Sequence, residues 1–469
     1  MTDTVGKRSE ASQAMVDMGL KGRALMGGTA AMRKAGKAYL PEFPQEDAKA
    51  YEARRDQSWL FNGYKKTVKD MSGRVFEKPV TLGESAPESL KTWAENIDLQ
   101  GRDLSTFSRE VFEDGLSGTG ISYIMVEAPA REGEVTKQEA KDANLRPYLI
   151  HLKQEEVLGW KTETVNNVTT LSQIRILETI KESDPKDEFA EVEVEQVRVI
   201  DRADTGATTR IYRKGKDAKW AEQPEMGSFS QLSEITVVPF YAARTGFFTG
   251  EPILDDLSDV NIAHWQSQSD QRNILHAVRV PILFGSGVGQ DDIVISASTA
   301  ITSDDPQASL MWVEHSGAAI NAGRQDLKDL EFQMETHGLQ LLVAQNGQSA
   351  TGEALDAAKE TSILAMTADQ LKDALEQAIA WMGEYAGEDF SAEVTVNKDF
   401  GVSLMGAQEF TAMLAAVNTG QLSQETFITE MNARGFLRTE VSPDEEKQRI
   451  EDEGGDLTDV DDTDADLAA

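Results

Sequence analysis

PILDDLSDVNIAHWQSQSDQRNILHAV, residues 252–278, decides the fold. Ile253, Leu257 and Val260 lie on one helical face, and the pattern then turns polar from Gln266 to Asn273. At Val280 it changes to short β-type runs, VPILFGSG, DDIVIS and MWVEHSG. Helical spacing returns at Gln325 (QDLKDLEFQMETHGLQLLV) and breaks over Ala344–Gly352, AQNGQSATG, which has no charged residue. From Glu353 a third helix is expected through to about Tyr385. A helical hairpin tipped by strands and followed by a neutral loop suits the wall of a ring-shaped channel better than an active site.

Upstream, the first fifty residues read as a weak Ala/Gly/Lys-containing lead-in ended by Pro41 and Pro44. Tyr51–Met71 has helical spacing with Gly63 as a kink, and Pro87 opens a second helix. In a third, Leu104, Phe107, Val111 and Phe112 form one buried stripe. Gly118 and Gly120 then lead into a buried strand, ISYIMVEAP. From Arg146 to Phe248 the texture is β, with strand candidates spaced by turn residues as in a meandering antiparallel sheet. The alternation of EVEVEQVRVI gives that sheet one wet face. After Gly387 come a short strand, AEVTVNKDF, and two helices, the second capped by Ser423. The fold class is therefore α+β, and 469 residues call for more than one domain.

Charge narrows the function. Lys and Arg total 46 against 81 Asp and Glu, a net charge of −35. Tight nucleic-acid binders displace counterions with cations, so this surface repels a phosphate backbone on average. It serves solubility, and equally a wall past which DNA slides without sticking. Residues 451–469 hold nine acidic residues and no basic one, a composition expected to stay disordered. They lack the glycine and glutamate spacing of a calcium-binding EF-hand loop. No run approaches the ~20 apolar residues of a membrane span, and the N-terminal residues lack a secretory core.

Chemical motifs are missing. Without cysteine there is no thiol catalysis and no disulfide. His151, His264, His276, His315 and His337 follow no metal-ligand spacing, so neither a metal nor a cofactor is expected. Gly285, Gly287 and Gly289 resemble a nucleotide loop but lead into another strand-type run, DDIVIS, which makes them a β-turn. There is no Walker motif and no G-x-S-x-G elbow. An enzyme is not expected.

The order of parts over about residues 50–438 resembles the portal, or head–tail connector, proteins of tailed bacteriophages, and among them a portal-like phage family formerly of unknown function. The resemblance is carried by RTGFFTGEPILDDLSDVNIAHWQSQSDQRNILHAVRVPILFGSG and GLQLLVAQNGQSATGEALDAAKETSILAMTADQLKDALEQAIAWMGEY. Within these, Gly250, Pro252, Ile253 and Leu254 match a G-x-P-l start. Ser349, Ala350, Thr351 and Gly352 match the loop before the long helix. The resemblance implies a wing (51–250), a stem helix (251–279), a clip (280–316), a second stem helix (317–343), a tunnel loop (344–353), a long helix with a helical crown (354–438) and an acidic tail (439–469).

It further implies a virion protein, present in the host cytoplasm during assembly. It would form a homo-oligomeric ring, usually a dodecamer, at one capsid vertex, through which double-stranded DNA passes in packaging and ejection. Partners would be the terminase large subunit, a head–tail adaptor and the major capsid or scaffolding protein, with no membrane. Gln345, Asn346, Gly347, Gln348, Ser349, Thr351 and Gly352 would form the tunnel loop. Gln266, Gln268, Asp270 and Arg272 would line the stem, and Phe284 and Trp312 would anchor the clip interface. The alternatives are a non-portal head–tail adaptor or assembly protein, then an unrecognised enzyme.

Overall fold

The computed structural model describes residues 4–129, 143–184, 187–278, 282–286, 305–313, 318–340, 362–398 and 413–433, with 400 and 448–449, apart from positions 204, 216–217, 231, 233, 389, 391 and 418. The chain divides into two compact units, Met1–Lys398 and Asp399–Ala469. The first mixes helices with antiparallel strands, which is the α+β class expected.

The N-terminal segment is structural rather than a lead-in. Helix α1 (Glu10–Met26) starts at Ser9, whose side chain accepts from Ser12 N, and α2 (Gly28–Ala35) follows. Met15, Leu25 and Met32 are core residues. The buried face of α1 also holds Gly19 and Gly22. A Cβ there would meet the Thr119 side chain and the Ser117 carbonyl at 2.7 and 2.5 Å, so the glycines let α1 lie close to the next helical layer. Instead of one kinked helix over 51–71, the chain forms α3 (Ala48–Gln57) and α4 (Gly63–Val75). The break arises because Ser58 is extended and Asn62 caps Lys65 N.

Strand β1 (Thr81–Leu82), helix α5 (Glu88–Ala94) and helix α6 (Leu104–Ser117) lead to β2 (Ile121–Glu127). All four residues of the expected α6 stripe are buried. Next come β3 (Tyr148–Leu152), β4 (Val157–Val165), β5 (Val168–Asp184), β6 (Asp187–Ala203), β7 (Gly206–Lys214), β8 (Trp220–Glu222), β9 (Ser228–Ser230) and β10 (Val237–Tyr241). Strand β2 lies between β10 and β3 in an antiparallel three-stranded sheet. Its residues 121, 123 and 125 join one core with Met15 and with Ile174, Ile176 and Ile200 of the neighbouring sheet. On the opposite face Phe240 stacks on Phe112 of α6 at 5.8 Å. A strand buried on both faces reads as a continuous apolar run, which is why ISYIMVE does not alternate.

The second sheet runs β4-β5-β6-β7-β8, with β9 also on β7. Its inner face supplies Ile174, Ile176 and Ile200 to the core. Its outer face carries a smaller cluster, Leu158, Val197, Val199 and Tyr212, over which Val5 packs. Beyond Ile176 no β4 residue pairs with β5, and before Glu195 no strand but β5 pairs with β6. Residues 177–195 thus form a two-stranded arm past the sheet. Phe189 at its end is 90% exposed.

The small pair β11 (Arg244–Gly246) and β12 (Thr249–Gly250) precedes helix α7 (Asp255–Val278). Strands β13 (Ile282–Ser286) and β14 (Ser309–Val313) pair antiparallel and are followed by α8 (Ala318–Gln340). Helix α9 (Ile363–Ala386) is apolar on most sides because it packs on β10 and β2. Its Ser362 cap is extended and accepts from Ala365 N, so the single helix expected from Glu353 does not run through Ser362. Strand β15 (Val394–Thr395) pairs with β1. In the second unit, α10 (Gln424–Ala433) begins at Ser423, whose hydroxyl accepts from Thr426 N at 3.0 Å, as its sequence suggested.

Candidate functional site: the helical hairpin and its β ribbon

Three chain segments cross at the root of α7, and backbone meets backbone there. The Gly120 carbonyl accepts from Ala242 N and Ala243 N at 2.9 and 3.0 Å. Gly120 has φ +73°, and a Cβ on it would sit 1.9 Å from the Glu251 carbonyl oxygen. A Cβ on Gly250 would lie 2.9 Å from both the Ala243 and Thr119 carbonyl oxygens. The first glycine of the Gly250-x-Pro252 start is therefore required by close backbone approach.

From this root α7 runs through the helical N-terminal layer. Trp265 is fully buried. The Asn261 amide donates to Phe61 O at 2.8 Å, and its carbonyl accepts from Tyr64 N at 2.9 Å. The Ser269 and Ser58 hydroxyls meet at 2.9 Å. Arg54, held by Glu46 and stacked 4.0 Å over Phe43, donates to Ser269 Oγ at 3.4 Å.

Helix α8 returns antiparallel beside α7. His264 Nε2 lies 3.3 Å from Glu331 Oε1, Ser267 donates to Asp326 at 2.5 Å, and Gln271 donates to Ile320 O at 2.9 Å. Burial lowers the pKa of His264, with Glu331 opposing the shift. Beyond Gln271 the character of α7 changes: Arg272, Asn273, Ile274 and His276 are exposed. Along α8, Phe332 is 70% exposed. Side-chain bonds therefore hold α7 as far as Gln271 and leave its last two turns bare, while α8 exposes one side along its length, Phe332 beside the Glu331 contact included.

The residues singled out in the sequence fall as follows. Gln266 donates to Tyr39 O at 3.1 Å and so faces the protomer's own N-terminal segment. Gln268 is half-buried. Asp270 lies 4.0 Å from Arg54, yet burial holds its carboxyl above the usual carboxylate range, with Arg54 opposing and Glu46 adding to the rise. Arg272 is exposed to solvent. In the ribbon, Phe284 pairs with Met311, and both are 52% exposed. Trp312 is in register with Leu283. Gln345, Asn346, Gly347, Gln348, Ser349, Thr351 and Gly352 lie outside the described residues. Sequence reasoning missed Asn261 and Ser269 and took Gln271 for part of a wet stem wall and His264 for a histidine without metal-ligand spacing; all four are buried polar groups of the hairpin. Their partners stand tens to hundreds of residues away, so no local pattern marks them.

Residues 252–386 match a family model described as a domain of unknown function (DUF4055). The match spans the hairpin, the ribbon and α9. No curated protein matches the chain. Among solved structures, the neck of an empty gene transfer agent (GTA) particle, computed with C6 symmetry, is 9% identical, with a TM-score of 0.38 over 80% of this chain and 89% of that one. The neck of a native GTA particle, computed with C12 symmetry, is 10% identical, with a TM-score of 0.38 over 78% and 88%. A chain from the virion of a native GTA particle gives 10%, 0.38, 86% and 92%.

One buried cluster has the residue types of a hydrolase triad. Ser122 Oγ lies 2.9 Å from His151 Nε2, and Asp114 Oδ2 lies 3.4 Å from the same nitrogen. A triad needs the serine on one ring nitrogen and the carboxylate on the other. Ser122 is also fully buried. The cluster is a structural ion network completed by Arg23, which donates to Asp114 Oδ1 at 2.5 Å. Burial alone would raise the Asp114 pKa, but the His151 hydrogen bond and the Arg23 charge hold it below the usual carboxylate range. A folded pKa below the unfolded ~3.9 adds stability above about pH 4. That stability is lost as pH falls through the depressed folded value. Asp114→Asn is therefore expected to cost about 3 kcal/mol near pH 7. The gap to the wild type should begin to close as pH falls below about 4 and vanish only below the depressed folded value. Urea titrations at several pH values check this. Among the described residues no group of three or more His, Asp or Glu could hold a metal, and no helix is long and apolar enough to cross a membrane.

Proposed function

We propose that this chain is the subunit of a portal-type ring, the head–tail connector of a phage-like particle, through which double-stranded DNA is packaged and ejected. The observation that carries the reading is the asymmetric hairpin. Its 24- and 23-residue helices are fixed to the body at one end. At the other they present exposed polar residues of α7 and a ribbon whose Phe284–Met311 pair is half exposed among the described residues. Such a surface suits neighbours on either side, and closed cyclic rings are how identical copies use it. Arg272 then belongs to the channel or intersubunit wall, and Phe284 with Trp312 to contacts between clips. The terminase large subunit, a head–tail adaptor and capsid or scaffolding protein are the partners such a ring meets. A non-portal adaptor is the second reading.

Negative-stain images with native mass of the purified protein test this. Closed rings of about a dozen copies are the expected result; a monomer or dimer persisting at high concentration and across salt conditions would overturn it. A second expectation concerns the neutral loop. Its amides and hydroxyls offer phosphates weak, exchangeable hydrogen bonds and no ion pair. Deleting Gln345–Ser349 should leave rings intact while particles lose DNA packaging or retention, scored as filled against empty heads. Normal filling in the deletion mutant would remove the loop from the mechanism.

A further inference from the structure

The outer face of the second sheet carries opposite charge at its two ends. Near the N-terminus a cavity of about 370 Å³ is lined by Val5, Lys161, Arg175, Val199, Arg210 and Tyr212. Arg210 is neutralised by Asp201. Arg175 is not neutralised in this way: its Nη1 donates to the carbonyls of Thr4, Val5 and Lys7 at 3.0, 2.8 and 2.7 Å, with no carboxylate partner among the described residues. Burial lowers its pKa, as expected for a cation without a counter-charge. Lys161 forms no ion pair among the described residues. In a chain of net charge −35, a cavity with two uncompensated cations is unusual.

The arm at the other end is its complement. Register and strand alternation put Glu195, Glu193 and Glu191 on the same face as Arg175 and Val199. Glu195 is paired with Lys214 and Glu191 with Lys181, which leaves Glu193, with Asp187 and Glu188 nearer the tip, to carry the negative charge. Phe189, flanked by Asp187 and Glu188, projects at the end, 90% exposed. Strand β5 runs from Arg175 to Asp184 with a register shift only at Ser183/Asp184, so the tip stands roughly 30 Å from the cavity at ~3.4 Å per residue. It cannot fold back into its own cavity.

We propose that the arm tip of one copy seats Phe189 in the cavity of a second copy, with its carboxylates against Lys161 and Arg175. The apolar lining from Val5, Val199 and Tyr212 takes the ring, and the cations take the acids. The acidic residues 451–469 would satisfy the charge but contain no aromatic residue to fill the cavity. The contact is head-to-tail, the type that closes into rings when the rotation permits. It goes beyond the ring reading yet rests on copies standing side by side, so the test reads assembly and contact separately.

The chain has no cysteine, which makes directed crosslinking clean. Thr4→Cys, Ala190→Cys (beside Phe189, so that the ring and its flanking carboxylates are kept) and the double variant would be treated with a short bismaleimide, with negative-stain images taken in parallel. The double variant should give a covalent ladder beyond the dimer. A mixture of the two single variants should stop at dimers, and each single variant alone should give none. Crosslinking should fall several-fold between low and high salt, because exposed charges are screened. Lys161→Glu should reduce it similarly, and adding Glu193→Lys should restore it. Rings without a ladder would overturn the contact and leave the ring reading standing. A ladder without rings in the images would support the contact and count against the closed ring. Deleting residues 451–469 should change nothing; a several-fold rise in yield would assign the cavity to that segment and overturn the proposal.

Discussion

Gly120→Ala is expected to be among the most damaging single substitutions in the chain, costing about 3 kcal/mol or more and leaving much of the protein insoluble. Two penalties add. A left-handed backbone disfavours any residue with a Cβ by about 1–2 kcal/mol. The new methyl would also stand 1.9 Å from the Glu251 carbonyl oxygen, and main chain cannot rotate away as a side-chain tip can. Relief requires moving Glu251, and with it the start of α7. Gly101 is the control, because its φ is +93° but no atom lies within 4 Å of its Cβ position. Gly101→Ala should lose only the conformational share. Soluble yield and urea denaturation of the two variants separate the contributions; equal losses would mean that the crossing at Gly120 is not tight.

The second large effect is at Trp265. The indole is fully buried where α7 passes through the N-terminal layer. Trp265→Ala should cost about 3–5 kcal/mol through lost burial and the cavity left behind. Its indole N–H has no hydrogen-bond partner among the described residues, so Trp265→Phe removes an unsatisfied donor and should cost only about 1–2 kcal/mol. A phenylalanine variant as unstable as the alanine one would show that the N–H is satisfied after all. Chemical denaturation followed by circular dichroism supplies both numbers.

Where the chain is regular, its pattern was readable. The change of period at Val280 separated α7 from the ribbon, but the alternation in EVEVEQVRVI misled: residues 191–195 belong to the arm, open on both faces, and the sheet beyond them is packed on both faces. The α6 stripe is buried as its spacing required. Two features resisted. Helix α1 packs through Ser12, Gly19 and Gly22 as well as Met15 and Leu25, and small residues on a buried face produce no apolar stripe. On α7, polarity between Gln266 and Asn273 read as wetness. Gln266, Ser269 and Gln271 instead bond to Tyr39, Ser58 and Ile320. A polar residue declares that it needs a partner, not whether that partner is water. The proposed ring and the role proposed for the neutral loop rest on resemblance and on the bare last turns of α7, because one chain alone does not display its contacts with other copies.

The crossing at Gly120 and Gly250 also has a mechanical meaning. Helix α7 is a beam of about 36 Å at ~1.5 Å per residue, so a tilt of about 5° at its base would swing the far end by roughly 3 Å. The main-chain crossing at its base has no rotamer to change, and Lys21 of α1 ties down the first turns of α7 through Asp255 and Asp259. Load applied at the ribbon is therefore expected to bend the last two turns of α7, beyond Gln271, before it moves the root. The protein is stiff where it is anchored and yields only at its far end.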